Sequence, residues 1–145
     1  MQSLDAELRR LAAQRERWDE VFGHLAMLFR KLGGWRRLDF ASFEHYCTER
    51  LGMSVRAVEQ RAALEAKLYE LPRLRTAMRE RRLFYEKARL IAQHVDEGAV
   101  EEWIERAQGL TCIELRRQLQ DREEAQMCAR GEFAAKELAN RGKCE

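Results

Sequence analysis

The chain has 145 residues, 46% hydrophobic and 36% charged, with one proline, eight glycines and a net charge of +2. That is enough for one domain with a real core, and so few helix breakers predict an all-α, soluble protein rather than a fibrous or disulfide-stapled one. No apolar run approaches the roughly 20 residues of a membrane span, so no membrane partner is expected. Met1-Gln2-Ser3-Leu4-Asp5 leads straight into a charged helix with no secretory leader, which predicts a cytoplasmic protein. Cys47, Cys112, Cys128 and Cys144 form no C-x-x-C pair. His24, His45 and His94 do not sit at ligand spacing beside them, so reduced thiols and no metal are expected.

The first predicted element is a long amphipathic helix over 1–33. Leu4, Leu8, Leu11, Arg15, Trp18, Phe22, Leu25, Phe29 and Leu32 recur at alternating steps of four and three, a heptad-like seam broken by Arg15. Gly33-Gly34 ends it. The seam suits two roles, packing inside its own domain or joining a second copy as a homodimer; Trp18, Phe22 and Phe29 also fit a core. Trp35-Arg36-Arg37-Leu38 reads as a short connector. Ser42 caps a short helix whose inward face is Phe43, Tyr46, Cys47 and Leu51, and Gly52 ends it. Ser54 opens the next helix, which Pro72 stops. Pro72 itself begins the following one, through Leu74 and Met78. A helix over 83–95 turns Ala88, Leu90, Ile91 and Val95 inward. Asp96 caps a helix carrying Val100, Trp103, Ile104 and Ala107, which Gly109 ends. Thr111 and Glu114 are spaced as a capping box for the last helix, with Leu115 and Leu119 inward. No strand pattern holds. The sum is six or seven helices around one core, divided as the helix over 1–33, a domain over 34–120, and a polar helical or frayed tail over 121–145 that could dock on a protein partner.

Charge is unevenly spread. Residues 35–89 hold 13 basic and 8 acidic groups, whereas residues 90–145 hold 8 basic and 12 acidic groups. The positive segment contains the tight-turn pair, and a local excess of this kind is the electrostatic footprint of contact with a phosphate backbone. Two helices joined by a glycine turn form the helix-turn-helix plan, whose second helix enters the DNA major groove. In that second helix Ala57, Val58, Ala62, Leu64, Leu68 and Leu71 share the inward side. Arg56, Glu59, Gln60, Ala63 and Lys67 lie opposite. Arg56 can bond guanine bidentately and Gln60 can bond adenine. Ser54 suits a phosphate through its hydroxyl or a free backbone N–H. Arg36, Arg37, Arg81, Arg82, Lys87 and Arg89 are the expected further phosphate contacts. The alkyl stem of Arg61 can pack while its guanidinium snorkels outward.

Leu51-Gly52-Met53-Ser54-Val55-Arg56-Ala57-Val58, followed by Leu68-Tyr69-Glu70-Leu71-Pro72, resembles the helix-turn-helix stretch of ParB-type partition proteins. Arg82-Leu83-Phe84-Tyr85-Glu86-Lys87-Ala88-Arg89-Leu90-Ile91 and the helix entry at Gly109–Leu115 continue that likeness. A second resemblance is to the helical N-terminal region ahead of the nuclease domain in some bacterial HNH endonucleases, carried by Ser42-Phe43-Glu44-His45-Tyr46-Cys47, Leu51-Gly52 and Tyr85-Glu86-Lys87-Ala88-Arg89. The two cover about residues 38–119. They imply DNA binding, as a regulator or as the DNA-targeting part of a nuclease system. The chain departs from both patterns: no partition-type nucleotide-binding domain precedes the turn, and no histidine-asparagine-histidine nuclease motif follows it.

Nothing else in the chain reads as chemistry. His45 and His94 stand apart from any acid or nucleophile spaced to work with them. Glu101, Glu102 and Glu105 make an exposed helix face. No glycine-rich phosphate loop or serine elbow is present, so neither a cofactor nor a catalytic residue is expected. The sequence therefore predicts a non-catalytic double-stranded DNA-binding protein. The rival reading is a helical protein–protein interaction module, a dimeric adaptor or inhibitor, motivated by the N-terminal seam and the acidic C-terminal helices.

Overall fold

A computed structural model describes residues 1–141. No strand occurs among them, and the order is α1 (Gln2–Lys31), α2 (Gly34–Arg37), α3 (Phe43–Tyr46), a π-helical turn (Cys47–Leu51), α4 (Val55–Glu70), α5 (Pro72–Arg79), α6 (Tyr85–His94), α7 (Val100–Gln108) and α8 (Cys112–Arg141). The fold is all-α. The chain forms two compact units, residues 1–75 and 76–145, with the boundary inside α5.

Local signals fix most of these boundaries. Gly33 takes the left-handed conformation after α1, with φ 63°. Ser42 Oγ accepts the His45 N–H at 3.0 Å, and Ser54 Oγ accepts the Ala57 N–H at 3.3 Å, so both predicted caps form. Pro72 ends α4 and opens α5. The capping box is reciprocal: the Thr111 N–H donates to Glu114 Oε2 at 2.9 Å, and the Glu114 N–H donates to Thr111 Oγ1 at 3.3 Å. Asp96, expected to cap α7, instead accepts the Ala99 N–H in the turn before it, and the N-cap of α7 is Ala99, which makes no side-chain cap bond. The stretch Trp35–Arg37, expected as a connector, is a single helical turn. The helix over 121–141 continues α8 without a break, so the described part of the C-terminal tail is helical; residues 142–145, including Cys144, lie outside the described residues.

In the first unit Ala26, Phe43, Cys47, Val58 and Ala62 are buried together, with Phe22, Met27, Phe29, Trp35, Tyr46, Leu51, Met53 and Val55 packed against them. The Phe29 and Tyr46 rings stack with centroids 4.5 Å apart. α1 crosses α4 at Gly23, where a Cβ would stand 3.1 Å from the Arg61 carbonyl oxygen. That approach selects which face of α1 turns inward: Gly23 and Ala26 are buried, and Phe22 and Phe29 are half-buried. The seam read from the sequence is thereby split. Trp18 is 73% exposed, and Leu4, Leu8, Leu11, Leu25 and Leu32 also face solvent. Burial of the thiol, with Glu59 second, pushes the Cys47 pKa up.

Ion pairs bolt α1, α4 and the start of α5 together. Arg61 reaches Asp19 at 2.9 Å, so its guanidinium is anchored to α1 instead of snorkelling into solvent. Arg30 reaches Glu59 at 3.1 Å. Glu65, on the inner side of α4, is buried at 5% exposure, and Arg75 neutralises it at 2.6 Å while holding Glu20 at 2.7 Å. Burial opposes the Arg75 charge, but the two carboxylates more than offset that and raise its pKa.

The second unit buries Leu83, Ala88, Leu90, Ile91, Val95, Val100, Trp103, Ile104, Ala107, Leu115 and Leu119. Here α6, α7 and the first turns of α8 meet. Arg122 on α8 donates to the His94 carbonyl at 2.9 Å, and His94 Nδ1 lies 2.6 Å from Glu123.

Candidate nucleic-acid interface

The tight turn is built from three devices. The Gly52 and Met53 N–H groups both donate to the Cys47 carbonyl, which closes the π-helical turn. Gly52 adopts φ 65°, a conformation that costs an L-residue roughly 1–2 kcal/mol. Ser54 then caps α4. Cys47, beneath the turn, is fully buried, which ties the first helix of the pair to the core.

α4 starts on the surface. Ser54 and Arg56 are exposed, and Gln60, one turn on, is half-buried. Arg56 and Gln60 stand at the i, i+4 spacing of neighbours on one helix side. Arg56 makes no ion pair or hydrogen bond among the described residues, so its five donors are available to a ligand. The Ser54 hydroxyl is occupied by its cap bond, and the N–H groups of Val55 and Arg56 have no partner inside the helix. Ala63 and Lys67 continue the exposed side, Lys67 in an ion pair with Glu70. Glu59, which the sequence placed on the same side, is drawn to Arg30. That pairing offsets the first negative charge along α4.

Elsewhere in the first unit Arg36 and Arg37 are exposed on α2, with the Arg36 guanidinium 4.6 Å from the centre of the Trp35 ring. That stacking orients the cation while leaving its edge open. Arg50, on the π-helical turn beside Gly52, is a further exposed cation that the sequence pattern did not single out.

The predicted contacts in the second unit are differently placed. Arg81 is exposed in the turn after α5, with φ 59° and its guanidinium 5.3 Å from the centre of the Phe84 ring. Arg82 pairs with Glu101 at 3.1 Å. Lys87 Nζ donates to the Ala107 carbonyl at 2.8 Å, and Arg89 pairs with Glu86 at 3.2 Å. Arg82 thus ties the turn before α6 to α7, and Lys87 and Arg89 tie α6 to α7 and to itself, so a phosphate would have to compete with bonds already made. A linear sequence cannot separate a cation that links two helices from one that faces solvent.

Among the described residues no three His, Cys, Asp or Glu side chains group where they could hold a metal ion, and no helix is long and apolar enough to cross a membrane. No family model matches the chain, and no curated protein or solved structure matches it.

Proposed function

We propose that the protein is a non-catalytic, double-stranded DNA-binding protein that uses the π-helical turn, Gly52 and α4 as a helix-turn-helix. The observation that carries this reading is the start of α4: a capped, surface-exposed helix end presenting Arg56 without an internal partner, reached through a left-handed glycine turn. Arg56 and Gln60 read base edges in the major groove. Ser54 with the first-turn N–H groups, Arg36, Arg37 and, on the second unit, Arg81 contact phosphates. Arg82, Lys87 and Arg89 contribute to the positive potential through their charge. Two copies joined through α1 would read a palindromic site. The protein acts in the cytoplasm, where the thiols of Cys47, Cys112 and Cys128 stay reduced, as a regulator or as the targeting part of a nuclease system. Arg56→Ala should weaken specific duplex binding by about 1–3 kcal/mol. Affinity for a selected site that is unaffected by the substitution would remove Arg56 from the reading role.

A second reading is favoured by the exposed apolar residues of α1, together with Met127 and Leu138 on α8: a helical adaptor that engages another protein. Salt separates the two readings, because phosphate contact releases counterions and fades steeply as salt rises.

A further inference from the structure

The solvent-facing stripe of α1 consists of Leu4, Leu8, Leu11, Trp18, Val21, Leu25, Leu28 and Leu32, all of them exposed. It differs from the seam in the sequence because Phe22 and Phe29 have turned toward Tyr46 and the core, and Val21 and Leu28 take their places at the surface. The resulting stripe is symmetric about Trp18. Leu4 and Leu32 each lie 14 residues from it, Leu8 and Leu28 each lie 10, and Leu11 and Leu25 each lie 7. At the remaining symmetric pair, Arg15 stands opposite Val21, and Arg15 leans on Asp19 at 3.7 Å, which leaves its stem to pack. A stripe with this symmetry is complementary to a second copy running antiparallel, with a two-fold axis beside Trp18.

The helix dipole favours the same orientation. The acids of the first turns, Asp5 and Glu7, are paired within α1 by Arg9 and Arg10, and Arg30 of the last turn is paired with Glu59, so fixed charge at the ends is largely internal. Antiparallel pairing sets the two helix dipoles in opposition, whereas parallel pairing aligns them. A further observation asks for an occupant: residues 1–12 are exposed on every side, three turns of helix with no packing of their own. Helices in water draw most of their stability from tertiary packing, and so short an unsupported stretch is marginal alone. Antiparallel pairing would lay Leu4, Leu8 and Leu11 on Leu32, Leu28 and Leu25 of the second copy, beside the part of α1 already held by α4.

We infer that the exposed stripe of α1 is an antiparallel homodimer interface centred on Trp18. This deepens the reading of α1 as a pairing surface and does not depend on DNA binding. The test is sedimentation equilibrium of the full chain without DNA, joined to disulfide mapping in a Cys112→Ser/Cys128→Ser/Cys144→Ser background that keeps buried Cys47. The wild-type chain should sediment as a dimer at micromolar concentration. Trp18→Glu, at an exposed position, should keep its circular dichroism and weaken dimerisation roughly a hundredfold or more. Under mild oxidation Trp18→Cys should cross-link between copies, as should Leu4→Cys/Leu32→Cys, while Leu11→Cys alone should not. A monomer at high micromolar concentration, a dimer unaffected by Trp18→Glu, or efficient Leu11→Cys cross-linking, the mark of a parallel pair, would each overturn the proposal. A sharp wild-type dimer that fails to bind duplex would sink the DNA reading and leave this one standing.

Discussion

Replacing Arg75 by methionine removes the guanidinium and keeps the stem volume, so it isolates the charge that Glu65 sees. Glu65 is 5% exposed, and its carboxylate is held at 2.6 Å by Arg75. No other cation is paired with it in the ion pairs of this unit. Arg75→Met therefore strands a buried carboxylate, which costs about 3–5 kcal/mol once the partner is gone. Glu20, the other carboxylate on Arg75, is about one-third exposed and can turn to water, so it adds little. At roughly 2–4 °C per kcal/mol, the melting point should fall by about 6–20 °C. Urea denaturation followed by circular dichroism reads the loss. The double substitution Arg75→Met/Glu65→Met removes both charges and should recover most of it, to within about 1–2 kcal/mol of the wild type. A single-variant loss below about 1 kcal/mol, or a double variant no better than the single, would refute the argument that Glu65 is buried and dependent on Arg75.

Other outcomes follow from the local geometry. A Cβ at position 52 meets no atom, so Gly52→Ala should cost only the strain of φ 65°, about 1–2 kcal/mol, and Gly52→Asn should cost less; equal stability of all three would remove the left-handed requirement. The backbone and hydroxyl bonds from Thr111 hold the Glu114 carboxyl below the usual carboxylate range. A depressed folded-state pKa contributes stability that is present above the ordinary carboxylate value and is lost as pH falls through the folded value. Thr111→Ala removes the hydroxyl bond and keeps the backbone one, so the Glu114 titration, followed by NMR, should move part of the way back toward the ordinary value, and an unmoved titration would show that the hydroxyl does not contribute. Burial raises the Cys47 pKa, so a thiol reagent at mildly alkaline pH should modify exposed Cys128 well before Cys47; equal rates would mean that the core around Cys47 opens readily.

Much of the fold was legible because its punctuation is local. Ser42, Gly52, Ser54, Pro72, Gly109 and the Thr111–Glu114 box act within a few residues of themselves, and each marks the boundary that its chemistry predicts. The inward side of α4 was legible for the same reason, since Val58, Ala62, Leu64, Leu68 and Leu71 follow the helical period. The orientation of α1 was not. Its seam and its aromatic residues compete for the core, and the decision comes from the close approach of Gly23 to Arg61, a contact between residues far apart in the chain. The pairings of Arg75 with Glu20, of Arg61 with Asp19 and of Lys87 with the Ala107 carbonyl are hidden in the same way. The candidate site divides along this line. Ser54 and Arg56 depend on one turn and one helix start, whereas Arg82, Lys87 and Arg89 belong to a basic run whose internal partners appear only once α6 and α7 are folded.

The claim that α4 reads DNA is tested most directly by fluorescence anisotropy of the protein with duplex DNA over a salt series, with the wild type and Arg56→Ala side by side. The account predicts binding at low salt that weakens steeply and linearly in a log–log plot as salt rises, with tighter binding to a selected site that Arg56→Ala reduces by about 1–3 kcal/mol. No association at low salt, or binding indifferent to both salt and Arg56, would contradict it.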